Sequence, residues 1–185
     1  MKIYTLAALC LAILTTGCAV GGSSSSAATA EKPKYAPPNW NDPATVQART
    51  KIKEDEFTKK TTYIGPKFSF EFGDIFLRAW AGPGSPNPPF QIYVKQFGSN
   101  WHDFYAYYDA NGKQLDITPI DREINRCSNG GYCGGHEHVG VSVTREYLQQ
   151  FSTTGLRFKL VGKSQNAIYE MPAGYIQGFL SVVPF

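Results

Sequence analysis

The chain has 185 residues and a formal net charge of +3, which is too close to neutral for a nucleic-acid binder that needs a concentrated basic patch. Its length suits one domain plus a tail. Aromatic residues make up 14% of the chain, and there are 18 Gly and 12 Pro residues. Many aromatic residues together with many turn formers favour an all-β domain over a helical bundle.

The first 17 residues have the pattern of a secretory signal peptide. Lys2 gives a basic start, and the apolar run from Ile3 to Leu14 follows it. This run is shorter than the roughly 20 apolar residues that a membrane-spanning helix needs. Small residues close the segment, as expected before a cleavage site. We therefore predict that residues 1–17 are removed.

The segment Leu14-Thr15-Thr16-Gly17-Cys18 resembles the lipobox of bacterial lipoprotein precursors. In that family the cysteine is acylated and becomes the new N-terminus, so the resemblance implies that Cys18 is lipidated. One position departs from the family pattern, because Thr15 stands where Leu is usual. Ala19, rather than Asp, follows the cysteine, and by the sorting rule of enteric relatives this implies the outer membrane. The alternative is an ordinary secreted protein cut near the same point.

Residues 18–40 predict a flexible tether, because a stretch rich in Gly, Ser, Ala, Lys and Pro cannot bury enough apolar surface to fold. Residues 41–60 then predict a surface helix. Asp42 is a suitable N-cap and Pro43 suits the first helical position. Val46 and Phe57 fall on one stripe of that helix, but the stripe is only partly apolar.

From Thr61 onward, apolar and polar residues alternate with the period of half-buried strands. Strands are expected in residues 68–72, 75–80, 90–97 and 101–108. The Gly- and Pro-rich residues 82–89 predict a loop. The turn Asp109-Ala110-Asn111-Gly112 predicts a hairpin, because Asn-Gly accepts the positive φ of tight hairpins.

Cys127 and Cys133 introduce the next strand. In an exported protein, two cysteines this close usually form a disulfide, and that is our prediction. Alternation after them places Glu137 with Val139, Val141 and Val143 on one face, and His136 with His138 on the other. The valines identify the core face, so both histidines should lean towards solvent or a neighbouring strand.

The same segment offers two alternative metal sites. Cys127, Cys133, His136 and His138 have ligand chemistry, although their spacing differs from the usual zinc-finger spacings. His136 and His138 alone would need a third ligand such as His102. We favour the disulfide and two structural histidines, and we expect no metal and no cofactor.

The C-terminal third completes the predicted fold. Thr144 can cap a short helix over residues 145–152, and Gly155 follows it as a stop. Leu156, Phe158 and Leu160 alternate as in a strand, and we predict another strand at the C-terminus. The sequence therefore predicts an antiparallel β-sandwich over residues 61–185, with one short helix and with an immunoglobulin-like arrangement as one option.

Function is less legible than fold. The turn at 108–112 and the segment 127–140 loosely resemble small proteobacterial lipoproteins, a resemblance that implies no particular activity. No nucleophile elbow, metalloprotease motif or phosphate-binding loop is present in the sequence, so we expect no enzyme. The leading hypothesis is an accessory module tethered to the outer membrane by its lipid and bound to an envelope protein partner.

Two further classes remain as alternatives. The first is a carbohydrate- or peptidoglycan-binding module that uses exposed aromatic residues, for which the candidates are Trp80, Tyr93, Trp101 and Tyr107. Aromatic residues of all-β domains usually lie in the core, so exposure decides this alternative. The second is an envelope hydrolase or a metal-binding protein, which would need converging carboxylates or ligands that no spacing specifies.

Overall fold

A computed structural model describes residues 37–83, 87–127 and 130–184 of the chain. The predicted signal peptide, the predicted lipidation site Cys18 and residues 18–36 of the predicted tether lie outside the described residues. The described part contains short helices and strands with the following bounds: α1 Pro43–Arg49, β1 Lys51–Glu54, β2 Thr61–Ile64, β3 Phe68–Phe70, β4 Gly73–Ala81, β5 Phe90–Gly98, β6 Phe104–Asp109, β7 Gln114–Leu115, β8 Ile117–Arg126, β9 Tyr132–Val143, α2 Arg145–Gln150, β10 Leu156–Gly162, β11 Asn166–Met171 and α3 Ala173–Val182.

These strands form two packed antiparallel sheets, which confirms the predicted β-sandwich. The larger sheet has the order β1-β2-β4-β5-β9-β8, with β3 paired to the end of β4. The smaller sheet has the order β11-β10-β6-β7. This strand order does not confirm the immunoglobulin-like option.

The core lies between the sheets and continues under α3. Alternation places Ile75, Leu77 and Ala79 of β4 inside, as predicted, and none of them is exposed. Val139 and Val141 of β9 are likewise fully buried. Aromatic residues supply the facing layer from the smaller sheet: Tyr107, Phe158 and Tyr169. At about 25 cal/mol per Å² of apolar area, such burial is the main stabilising term for the fold.

The predicted helix over residues 41–60 is confirmed only in its first part. Asp42 caps α1 by accepting hydrogen bonds from the backbone N–H groups of Ala44 and Thr45, at 3.2 and 3.1 Å. The helix ends at Arg49, and Lys51–Glu54 forms β1 paired with β2. Val46 is fully buried, so α1 is a packed helix rather than a surface helix.

The folded unit also begins earlier than the sequence predicts, because it extends back to Pro37. Trp40, assigned to the tether, is partly buried and packs against the core. Its ring lies 6.3 Å from that of Phe68 and 6.2 Å from that of Tyr175, measured between centroids. The packing of this large ring holds the segment against the domain, although the composition around it is typical of a tether.

The predicted C-terminal strand is wrong, because residues 173–182 form α3. Tyr175, Phe179 and Val183 are spaced by four residues, which is the period of one helix face rather than of a strand. All three are buried. Helix α1 lies close against α3, and a Cβ at Gly178 would overlap the Pro43 carbonyl, so the small residue permits this approach.

The hairpin at residues 109–112 and the helix after Thr144 are confirmed. Gly112 has a φ of +80°, and β6 pairs with β7 across the turn. Asp109 organises the turn by accepting hydrogen bonds from the backbone of Asn111 and Lys113, both at 2.9 Å. The Thr144 hydroxyl accepts from the N–H of Tyr147 at 3.1 Å and caps α2.

Candidate ligand-binding face

The four aromatic candidates lie in different environments, and the prediction that Tyr107 is an exposed aromatic residue is wrong. Its side chain is fully buried, and its ring stacks on Phe158 with centroids 4.9 Å apart. The Tyr107 hydroxyl is hydrogen-bonded to that of Tyr147 at 2.8 Å, and Tyr147 donates to Asp109 at 3.0 Å. Burial raises the pKa of Tyr107 far above its ordinary value. Tyr107 is therefore a core residue and no ligand contact.

Trp101 also lies apart from the other candidates. It is half-buried, and the guanidinium carbon of Arg122 lies 5.1 Å from the centre of its ring. A Cβ at Gly135 would overlap the indole, so this ring covers the start of β9. Its position fits a role in packing the loop before β6.

Trp80 and Tyr93 are brought together on the outer face, which we define as the side of the larger sheet opposite the core, carrying Phe76, Arg78, Trp80 and Tyr93. Phe76 and Tyr93 are cross-strand partners and their rings stack, with centroids 4.6 Å apart. The Arg78 guanidinium carbon lies 4.6 Å from the Tyr93 centroid and 4.9 Å from the Trp80 centroid. Apart from Phe76, these side chains are half-buried.

Two exposed lysines extend this arrangement at its ends. Lys60 Nζ lies 5.5 Å from the Trp80 centroid, and Lys67 Nζ lies 5.7 Å from the Phe76 centroid. Cation–π contacts of this kind contribute about 0.5–1 kcal/mol each at exposed sites. Cations therefore lie at both ends and in the middle of a row of aromatic rings on the outer face, in the order Lys60, Trp80, Arg78, Tyr93, Phe76 and Lys67.

The histidine pair of β9 borders the outer face. The Tyr93 hydroxyl and His138 Nδ1 are hydrogen-bonded at 2.6 Å. His138 Nε2 lies 3.4 Å from one oxygen of Glu123, and His136 Nδ1 lies 3.8 Å from the other. Lys95 Nζ pairs with Glu123 at 2.6 Å. Each histidine thus leans towards neighbouring strands, as the sequence predicts, although His138 is 95% buried rather than open to solvent.

The pKa values of His136 and Glu123 are both shifted in this cluster. Burial is the main cause that lowers the pKa of His136, and Lys95 lowers it further while Glu123 opposes the shift. The hydrogen bond from Lys95 lowers the pKa of Glu123. His136 Nδ1 and His138 Nε2 are both buried without a hydrogen-bond partner.

His102 does not supply the third ligand of the metal alternative. His102 stacks on Phe104 with centroids 4.9 Å apart, and its backbone N–H donates to the core-facing Glu137, so it lies on the core side of the sheet and away from the pair. Within the described ranges, no three His, Cys, Asp or Glu side chains are arranged to hold a metal ion.

The structure joins Cys127 to Cys133 in the predicted disulfide, with Cα atoms 5.3 Å apart. The bond lies at the end of the β8–β9 hairpin, next to the Arg126–Tyr132 pair. The cysteines are thereby removed from any set of thiolate ligands. Because Cys133 is the second residue of β9, the disulfide ties the start of this strand to the end of β8.

Sequence reasoning missed Arg78 as a member of the site. The alternation of β4 places Arg78 beside Trp80 on one face, but the contact with Tyr93 depends on how β5 pairs with β4. In the structure Arg78 is opposite Gln91, and its Nε donates to Gln91 Oε1 at 2.7 Å. A cation two residues before an outward Trp was the available signal.

Searches of protein-family models, curated proteins and solved structures find no match to this chain. Among the helices of the described residues, none is long and apolar enough to cross a membrane.

Proposed function

We propose that the domain is a non-enzymatic binding module of the cell envelope that binds carbohydrate, with peptidoglycan as the ligand, through its outer face. One observation carries the proposal: Trp80 and Tyr93 flank Arg78 on the side of the sheet that faces away from the core, and Arg78 is hydrogen-bonded to Gln91 there. Binding sites combine aromatic surface with a few polar groups that orient the ligand.

The arrangement supports binding better than it supports packing. The core already contains its own aromatic layer, so Trp80 and Tyr93 add nothing to the interior of the sandwich. Tyr and Trp are suited to exposed contact because each has an apolar body and a polar tip. Of the described carboxylates near this face, Glu123 is paired with Lys95 at 2.6 Å.

The proposed lipid anchor would place the outer face in the cell envelope, near peptidoglycan. Lipidation at Cys18 would hold the protein on the outer membrane, and the tether would let the domain reach about 25 Å, at roughly 5–6 Å × √n for flexible chain. Replacing Cys18 with Ser should abolish fatty-acid labelling of the protein. Unchanged labelling in the Cys18→Ser variant would contradict the anchor.

A second candidate function is an accessory module that binds an envelope protein. Strand β8 favours it, because this strand lies at the edge of the larger sheet and is exposed along most of its length. Ile120 and Ile124 are 37% and 63% exposed there. An edge strand can accept an added strand from a partner, although the bulges of β8 and Pro119 oppose this.

The test is co-sedimentation of the full-length lipoprotein with purified peptidoglycan sacculi. Trp80→Ala should weaken binding about tenfold or more, since tenfold corresponds to roughly 1.4 kcal/mol. Tyr105→Ala is the matched control, because Tyr105 is 61% exposed on the other sheet and should not contribute. Absence of wild-type binding, or an equal loss in both variants, would refute the proposed function.

A further inference from the structure

We infer that Arg78 binds a carboxylate group of the ligand, so that the domain selects acidic over neutral carbohydrate. The inference rests on the proposed function and names the chemical class of its ligand. It follows from how Arg78 is held, from what covers the rings beside it and from where the nearby acidic side chains are used.

The surroundings of Arg78 hold its guanidinium in place while leaving its terminal nitrogens available. The Nε group donates to Gln91 Oε1 at 2.7 Å. The guanidinium carbon lies 4.9 Å from the centroid of the Trp80 ring and 4.6 Å from that of the Tyr93 ring. No acidic side chain pairs with it in the described part of the protein. A guanidinium fixed in this way presents its planar fork of donors, which matches the two oxygens of a carboxylate.

Cationic groups lie beside both of the neighbouring rings. Trp80 has both Lys60 and Arg78 near its ring, and Tyr93 has Phe76 stacked on it and Arg78 over it. A ligand that approaches the outer face therefore meets cationic groups as well as aromatic carbon. Charge complementarity favours an acidic ligand at such a surface.

The acidic groups near the outer face are engaged elsewhere. Glu123 is paired with Lys95, and Asp74 accepts a hydrogen bond from Ser69 at 2.6 Å. Asp121 lies on β8, opposite His138, and its Oδ1 accepts a hydrogen bond from the backbone N–H of Arg122 at 2.8 Å. Partial burial also lowers the pKa of Arg78, because desolvation disfavours its charge. A bound carboxylate would offset that cost.

The experiment compares native sacculi with sacculi whose carboxylates have been converted to neutral methylamides, using the full-length lipoprotein. Wild type should bind native sacculi about tenfold more tightly than amidated sacculi. Arg78→Gln should bind both preparations equally, at the level of wild type on amidated sacculi. Arg157→Gln is the control, since Arg157 is exposed on the other sheet and paired with Glu170, and it should keep the wild-type preference.

The possible outcomes separate the two proposals. Equal wild-type binding to both preparations would overturn the acidic preference while leaving carbohydrate binding intact. An Arg78→Gln variant that keeps the preference would overturn the role assigned to Arg78, because Lys60 or Lys67 would then be the group that recognises the acid. Binding to neither preparation would refute the proposed function as well. If Arg78→Gln fails to fold, as judged by thermal unfolding, Arg78→Lys replaces it; lysine keeps the charge but lacks the planar fork of donors, so it should also lose the preference, and a retained preference would overturn the role of Arg78.

Discussion

Replacing Glu137 with Gln tests how the buried side of β9 holds the loop before β6. One Glu137 oxygen accepts hydrogen bonds from the backbone N–H groups of His102 and Asp103, both at 3.0 Å, and the other accepts from Phe104 at 2.9 Å. Glu137 is only 4% exposed, and Asp103 has a φ of +51° in this loop. The carboxylate thus satisfies three donors that no strand or helix satisfies.

The expected loss follows from these three contacts. A hydrogen bond to a charged group contributes roughly 1.5–3 kcal/mol, and one between neutral groups about 0.5–1.5 kcal/mol. Glutamine has one oxygen, so at least one N–H loses its acceptor and the remaining bonds lose the charge. We therefore expect Glu137→Gln to lower the free energy of unfolding by about 2–4 kcal/mol.

Urea denaturation monitored by tryptophan fluorescence measures this loss. With a slope of about 1–3 kcal/mol per molar urea, the midpoint should fall by roughly 1–2 M. Glu170→Gln is the matched control, because Glu170 pairs with Arg157 at 3.0 Å but is 73% exposed, and such pairs contribute about 0–1 kcal/mol. If Glu137→Gln lay within about 0.5 kcal/mol of wild type, the assigned role of the carboxylate would be refuted.

Two further predictions concern His136 and Cys133, which both lie near the start of β9. The pKa of His136 is lower in the folded state than in the unfolded chain, so the unfolded chain is protonated first as the pH falls, and the free energy of unfolding should decrease below about pH 6.5. Unfolding measured from pH 8 to 5 should show a flatter pH dependence for His136→Gln than for wild type. The same pH dependence in both proteins would contradict this. Cys133→Ser should lower the unfolding free energy by about 2–2.5 kcal/mol, the chain-entropy value for a loop this short, and reductant should have no further effect on the variant, whereas equal stability of variant and wild type would show that the disulfide adds nothing.

The sequence predicted the faces of β4 and β9 because their alternation is unbroken. Ile75, Leu77 and Ala79 had to share a face once the backbone was extended, and burial of that face followed. What alternation could not supply was the register between strands. The contact of Arg78 with Tyr93 depends on pairing Phe76 with Tyr93 across β4 and β5, and no local pattern encodes that pairing.

The wrong predictions have equally local causes. In β6, Phe104, Ala106 and Tyr107 are all buried, so the burial pattern departs from strict alternation near the irregularity opposite Val161 and Gly162. For this reason the sequence could not tell which tyrosine of the run is buried. At the C-terminus, spacing by four residues was interpreted as a strand although it has the period of a helix.

Strand β9 links the two faces of the larger sheet. Its inner side places Glu137 against the loop before β6, and its outer side places His138 against Tyr93 of the outer face. A shift of one residue in its pairing would bury His138 in the core and expose Glu137. The disulfide at the start of the strand and the buried Val139 and Val141 oppose that shift together. The geometry of the proposed binding face therefore depends on core residues that no ligand would touch.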